Sequence, residues 1–334
     1  MPPDDRPAIL FLTKGADAAS TRHRALAFFP ALEAAGFRPV HLSTRGGLGH
    51  EVQLLRAARQ AVVTVVLRRT FGGPFRAALR RLSRRLVFDF DDAVYRRPGG
   101  DSAGRLRGFR AMVQRSDEVW AGNLWLGRAA LDASSRGPVQ VLPTVLDPAA
   151  YTPRAAEQRD PHRLVWIGSS STRPYLEAIL PDLEAAAERI PGLSLRIVAD
   201  FSLRSEHLVI EATPWAPETE AESLATAGIG IAPLADDEWA RGKCGFKLLQ
   251  YMAAGLPTVC DPVGANGQIV LDGETGFHVT PERGWPDAIA ALCGDTERAA
   301  AMGQAGRTRV ELDYGLERAA AMLVARLEAL GARG

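Results

Sequence analysis

The chain has 334 residues, 46% of them hydrophobic and 24% charged, with a formal net charge of +1 at pH 7. That length fits two domains of α/β size better than one small module, and that apolar share excludes bulk disorder. The early apolar stretch from Ala8 to Leu12 follows Asp4, Asp5 and Arg6 and is too short for a secretory leader or a membrane span; the three cysteines, Cys244, Cys260 and Cys293, are too scattered for a disulfide framework or a zinc knuckle, so a cytoplasmic protein is expected.

Short apolar runs at 8–13, 38–43, 62–67, 86–90, 118–121 and 139–142 predict strands, and the amphipathic stretches between several of them predict helices. This is the βαβ alternation of a parallel sheet. Ser20-Thr-Arg-His-Arg24 follows the first strand, where Ser20 suits a helix cap. Residues 74–86 predict a basic amphipathic helix with Phe75, Ala78, Leu79, Leu82 and Leu86 along one side. Asp147-Pro148, Tyr151-Thr152-Pro153 and Asp160-Pro161 mark a turn-rich linker. A second series of strands is expected at 164–167, 195–198, 208–210, 228–232 and 258–260, with a helical run at 248–254. A last helix at 316–330 sets Leu316, Ala319, Ala320, Leu323, Leu327 and Leu330 on one face, which needs a partner surface. The expectation is two α/β domains divided near residues 150–160.

The near-zero net charge hides an asymmetry. Residues 1–150 carry 23 Lys and Arg against 13 Asp and Glu, and residues 151–334 carry 17 against 26. The basic excess, concentrated between Arg56 and Arg115, suits an anionic membrane surface or plain solvent; nucleic acid is disfavoured, because no aromatics interleave the arginines and the second half is acidic.

Of the 40 basic residues only Lys14, Lys243 and Lys247 are lysines. Two of these fall in Arg241-Gly-Lys-Cys-Gly-Phe-Lys247, directly before the helical run. An ammonium is a compact point charge suited to a phosphate oxygen, whereas guanidinium is a planar fork. Gly242 and Gly245 permit close backbone approach, and a helix starting near Gly245 directs its positive end at whatever the lysines hold. Phosphate is the expected ligand, although neither a Walker A loop nor a Rossmann glycine fingerprint is present.

The stretch from Trp239 to Val259, with Pro262-Val-Gly-Ala-Asn266, Ile269-Val270 and Asp272-Gly-Glu-Thr-Gly-Phe277, resembles the donor-binding segment of GT-B nucleotide-sugar glycosyltransferases, especially the retaining family 4 type. Phe88-Asp-Phe-Asp-Asp92 and Trp166-Ile-Gly-Ser fall where such enzymes place them. The resemblance implies two Rossmann-like domains facing across a cleft: an acceptor-side domain at 1–150, a donor domain at 160–312, and a C-terminal helix at 313–334 packing back on the first. It implies transfer of a sugar from a nucleoside-diphosphate donor, with retention, to a glycan, lipid-linked or small-molecule hydroxyl in glycan biosynthesis. Lys243 and Lys247 would be catalytic. Gly168, Ser169, Gly242, Gln250, Gly264 and Asn266 would bind the donor, and Lys14, Arg22, His23, Asp91 and Asp92 are cleft or acceptor candidates. The family's Glu-x7-Glu pair is replaced here by Gly242 and Gln250; the Gln250 amide can still bond a ribose hydroxyl.

Asp89-Phe-Asp-Asp92 also matches the opening of haloacid-dehalogenase phosphatases, but the carboxylates Asp236–Glu238 precede Lys243 instead of following it. The six histidines show no metal-binding spacing, so neither a metal nor any other cofactor is expected. A non-catalytic GT-B scaffold that lost its glutamates is the alternative from another class.

Overall fold

The computed structural model describes residues 5–97 and 100–332. The chain divides into two compact units, each built on one parallel sheet of six strands. One unit contains the described residues up to Val145 together with Gly242–Cys244 and the described residues from Leu316 on. The other contains Leu146–Arg241 and Gly245–Gly315.

In the first unit the strands are β1 (Ala8–Thr13), β2 (Arg38–Ser43), β3 (Val63–Leu67), β4 (Leu86–Phe90), β5 (Glu118–Ala121) and β6 (Val139–Val141), in the order β2-β1-β3-β4-β5-β6. Leu10 of β1 lies opposite Val40 and Thr64 of its two neighbours. Ile9 to Leu12 are essentially fully buried, as expected of a parallel strand covered on both faces. Helix Leu316–Ala329 supplies part of that cover: Ala320, Leu323 and Leu327 join Ile9, Phe11, Phe28 and Val65 in one core. Arg326 clamps this helix to the buried Glu118 carboxylate of β5, which Trp120 Nε1 also binds at 2.8 Å.

The second unit holds β7 (Asp160–Ile167), β8 (Ser194–Ala199), β9 (Val209–Pro214), β10 (Ala227–Ala232), β11 (Thr258–Cys260) and β12 (Gly276–His278), ordered β12-β11-β10-β7-β8-β9. Along β7, Leu164 and Trp166 enter the core on one face, while Val165 and Ile167 enter the core on the other. That alternation is the two-residue period of a strand buried on both sides.

Several local expectations need correction. Asp160-Pro161 is not linker but the start of β7, paired with Ala227, and the register shifts between Ala227 and Ile229. A bulge is where a strand tolerates a residue without an N–H. The basic helix is Gly73–Leu82; Leu86 instead opens β4, because the chain leaves the helix at Ser83. The first helix spans Ala19–Arg24 with Ala18 at its N-cap and no side-chain cap bond, so Ser20 is not the cap. β12 was not expected, since three residues carry no readable period. All three cysteines are free thiols, and no helix among the described residues is long and apolar enough to cross a membrane.

Candidate active site

In the second unit the chain order reverses at β7, which has β8 on one side and β10 on the other. The carboxyl ends of two such strands open a crevice where ligands of α/β sheets bind. Tyr251 spans this point from behind. Its hydroxyl accepts from the Ile167 N–H of β7 at 2.9 Å and donates to the Ile231 carbonyl of β10 at 3.1 Å. Burial pushes the phenol far up, so it stays protonated and able to donate. Gly230 faces the ring, where a Cβ would come within 2.4 Å of it.

Tyr251 belongs to helix Phe246–Ala253, whose N-cap is Gly245 in the left-handed conformation at φ 64°. A side chain at 245 would meet Ile269 at 2.4 Å and Asn266 Oδ1 at 3.3 Å, so glycine is required on both counts. No side chain caps this end. Lys247 sits in its first turn with the ammonium 4.2 Å from the centre of the Trp166 indole ring, a cation–π contact at the end of β7. Gly168 follows, and any side chain there would strike the Trp166 ring at 2.4 Å. Ser169 continues the loop, its hydroxyl 2.9 Å from that of Ser171. Ser170 donates to Asp200 from both backbone and hydroxyl, and holds that carboxyl below its usual range. The structure thus brings Lys247, Gly168 and Ser169 together at the switch point.

Gln250 lies three residues after Lys247, on the same face of the helix. It is buried, and its Nε2 donates to Glu220 Oε1 at 2.6 Å and approaches the Tyr151 hydroxyl at 3.3 Å. Asn266 is buried as well, its Nδ2 donating to the Asp261 carbonyl at 3.2 Å. Gly264 adopts φ 58° and lies against the Arg241 backbone, where a Cβ would meet the Arg241 carbonyl at 2.6 Å. Asn266 and Gly264 therefore shape the turn after β11. Asp261 opens that turn and accepts from the Leu234 N–H at 2.9 Å; burial pushes its carboxyl up to about 6.

Lys243 belongs to the first unit, with Gly242, which is buried, and Cys244. Its ammonium lies 3.3 Å from Asp92 Oδ1, and its carbonyl accepts from Asn123 Nδ2 at 2.9 Å. Cys244 donates to the Asp91 carbonyl at 3.3 Å. Arg68 pairs with Asp92 and, at 3.3 Å, with Asp91. Its backbone is left-handed at φ 61°, which for a non-glycine residue costs about 1–3 kcal/mol and recurs at functional sites. Asp91, Asp92 and Lys243 thus form one charge cluster. Lys14 is exposed and its carbonyl accepts from Ser43. Arg22 is half-buried on helix Ala19–Arg24, and His23 lines an apolar cavity with Trp120, Ala319 and Leu323.

Asp89 is a buried counter-ion. Arg24 Nε lies 3.1 Å from both of its carboxylate oxygens, and Arg24 also donates to the Leu142 carbonyl at 2.9 Å. Burial alone would depress Arg24, but Asp89 outweighs it and holds the guanidinium above its ordinary pKa. A carboxylate committed in this way is not a phosphatase nucleophile, which removes that reading. Among the described residues no three His, Cys, Asp or Glu side chains converge as a metal site. Sequence reasoning assigns no site role to Trp166, Tyr251, Tyr151 or Glu220. No local signal marks Glu220, which meets Gln250 across 30 residues.

Residues 149–295 match the family described as Glycosyl transferases group 1. No curated protein sequence matches the chain. Among solved structures, the chain is similar to sucrose-phosphate synthase from Thermosynechococcus elongatus, with 16% identity and a TM-score of 0.75 over 98% of this chain and 100% of that one. It is similar to HepE of Anabaena in complex with UDP and glucose, at 14% and 0.70 over 97% and 100%. It is also similar to a glycosyltransferase from Rickettsia africae, at 14% and 0.69 over 98% and 99%. Residues 149–295 thus match the model of group 1 glycosyl transferases, and the chain as a whole has the two-domain α/β architecture of the GT-B fold.

Proposed function

We propose that this chain moves a sugar from a nucleoside-diphosphate sugar to an acceptor hydroxyl with retention, as in family 4. The observation that carries the reading is the pair Lys247 and Gln250 on one face of a helix that starts at left-handed Gly245, beside the switch point of the sheet. Neighbours one turn apart on a helix are about 5–6 Å apart at Cβ, a spacing suited to a diphosphate and its ribose. In the reaction the bond from the sugar C1 to the diphosphate oxygen breaks and the acceptor oxygen bonds to C1. The acceptor proton passes to the departing diphosphate. Charge grows on that leaving group, and fixed cations help most there. Lys247 and the helix N-terminus supply positive charge there.

HepE is described with UDP, which makes uridine diphosphate the first donor nucleotide to test. UDP, GDP, ADP and TDP are compared by thermal shift, since a ligand that binds only the native state raises the melting temperature. Product formation from the matching sugar donor follows, with the anomeric outcome read by NMR. Turnover is expected to persist in EDTA. Activity lost in EDTA and restored by Mg²⁺ would overturn the lysine-based account, and a donor that binds without any release of nucleotide would favour a scaffold.

The same reading places the enzyme in the cytoplasm, at the inner membrane face, through its basic first unit. Two arginines expected on that face are engaged in the fold: Arg80 pairs with Asp117 at 2.6 Å, and Arg85 donates to the Leu330 carbonyl at 3.1 Å. The exposed Arg81 and Arg84 are then the contact residues. At about 1 kcal/mol for each basic residue, Arg81→Glu with Arg84→Glu should reduce co-sedimentation with anionic vesicles several-fold. Equal recovery of variant and wild type would exclude this surface.

A further inference from the structure

Glu220 opens helix Glu220–Ala225 of the second unit, and three donors converge on its carboxylate. Gln250 Nε2 and the Tyr151 hydroxyl both reach Oε1 at 2.6 Å, and Trp215 Nε1 reaches Oε2 at 2.6 Å. The Tyr151 oxygen in turn lies 3.3 Å from Gln250 Nε2. These bonds settle which end of the Gln250 amide is which. An ionised carboxylate only accepts, so the end facing it must be the NH2 group, and Oε1 is turned away from the cluster.

We propose that Glu220 is a positioning residue for the donor. It locks the Gln250 amide so that Oε1 accepts a hydrogen bond from a ribose hydroxyl, which makes the site selective for ribonucleotides over deoxyribonucleotides. The inference rests on the nucleotide-sugar reading above. Two effects of the carboxylate act together. The N–H···O⁻ bond is charge-assisted and holds a side chain that would otherwise sample both amide orientations. The same charge polarises the amide, because linked hydrogen bonds strengthen one another, and leaves Oε1 a better acceptor. The negative charge that Gln250 lacks is thus supplied one hydrogen bond away.

The test compares dissociation constants of UDP, 2′-deoxy-UDP and 3′-deoxy-UDP by calorimetry, with GDP and ADP and their deoxy forms in parallel. A site built to bond a hydroxyl rejects an analogue lacking it, so wild type should prefer the ribonucleotide by about tenfold or more. Glu220→Gln should reduce that preference to about threefold or less while UDP still binds. The exchange Glu220→Gln with Gln250→Glu should restore it. There the carboxylate itself meets the ribose, while the amide introduced at position 220 accepts from Trp215 through its oxygen and turns its NH2 group to the carboxylate and to the Tyr151 oxygen, whose hydroxyl is then free to donate to the carboxylate. The exchanged variant keeps the net charge and leaves every donor of the cluster an acceptor, so it also serves if Glu220→Gln alone does not fold. A folded Glu220→Gln with the wild-type ratio, an exchanged variant that binds UDP without preference, or wild type that binds both forms equally would overturn the inference and leave the nucleotide reading intact. Binding of TDP alone would overturn the inference but not the nucleotide reading, and failure of UDP, GDP, ADP and TDP all to bind would overturn both.

Discussion

Replacing Lys247 by alanine is expected to lower kcat about a hundredfold or more, with a smaller change in KM. The lysine occupies the first turn of helix Phe246–Ala253, where no side chain caps the positive end and the ammonium rests over Trp166 at the end of β7. A preorganised charge aimed at a leaving diphosphate meets more negative charge in the transition state than in the bound donor, so its removal acts on rate beyond binding. Loss of one such donor commonly costs about 2.7–4 kcal/mol of transition-state stabilisation. Lys247→Arg should be impaired too, since a planar fork does not replace a point charge over an indole at the start of a helix. Arg241→Lys is the control. Arg241 binds Asp236 at 2.6 Å and 2.9 Å on an exposed surface, and exposed pairs contribute little. Steady-state kinetics with the matched donor decide the matter. Near wild-type kcat in Lys247→Ala would move the leaving-group site elsewhere, with Lys243 and its Asp92 partner the next candidates.

Asp89→Ala should destabilise the first unit by about 3–5 kcal/mol, the usual cost of leaving a buried charge without its partner. Arg24 would keep its carbonyl bond to Leu142 but lose the carboxylate that now meets it with both oxygens, in a region where Arg24 and Asp89 are 6% and 2% exposed. Replacing both residues by apolar side chains of similar volume, Arg24→Met with Asp89→Leu, should recover much of the loss, because no charge is then stranded. Urea denaturation followed by circular dichroism measures both changes from the midpoint and slope. An Asp89→Ala protein within about 1 kcal/mol of wild type would show that the pair is not what holds β4 to the first helix. A catalytic aspartate behaves in the opposite way, with activity lost and stability kept.

Parallel strands buried on both faces are legible in a sequence because they form near-continuous apolar runs, and here 8–13, 38–43, 86–90, 118–121 and 258–260 coincide with the observed strands. The start of the lysine-bearing helix was legible for a related reason, since a glycine before an apolar periodic run marks where the chain turns. Boundaries failed where pairing overrode local chemistry, as at Asp160-Pro161, whose turn signal gave way to a bulged pairing with β10.

The sequence by itself determined that two α/β units are built from this chain, and that two of its three lysines flank a glycine-rich turn before a helix. Tertiary structure alone decided what those lysines face. Left-handed Gly245 redirects the chain between them, so Lys243 goes to Asp92 in the first unit and Lys247 to Trp166 in the second. It decided equally that Gln250 meets Glu220 and that Asp89 meets Arg24, across 30 and 65 residues respectively. Such pairings follow from which helices and strands the tertiary fold sets side by side. Local periodicity reports whether a residue is buried, but the identity of its partner depends on chain segments too distant for any window of sequence to contain.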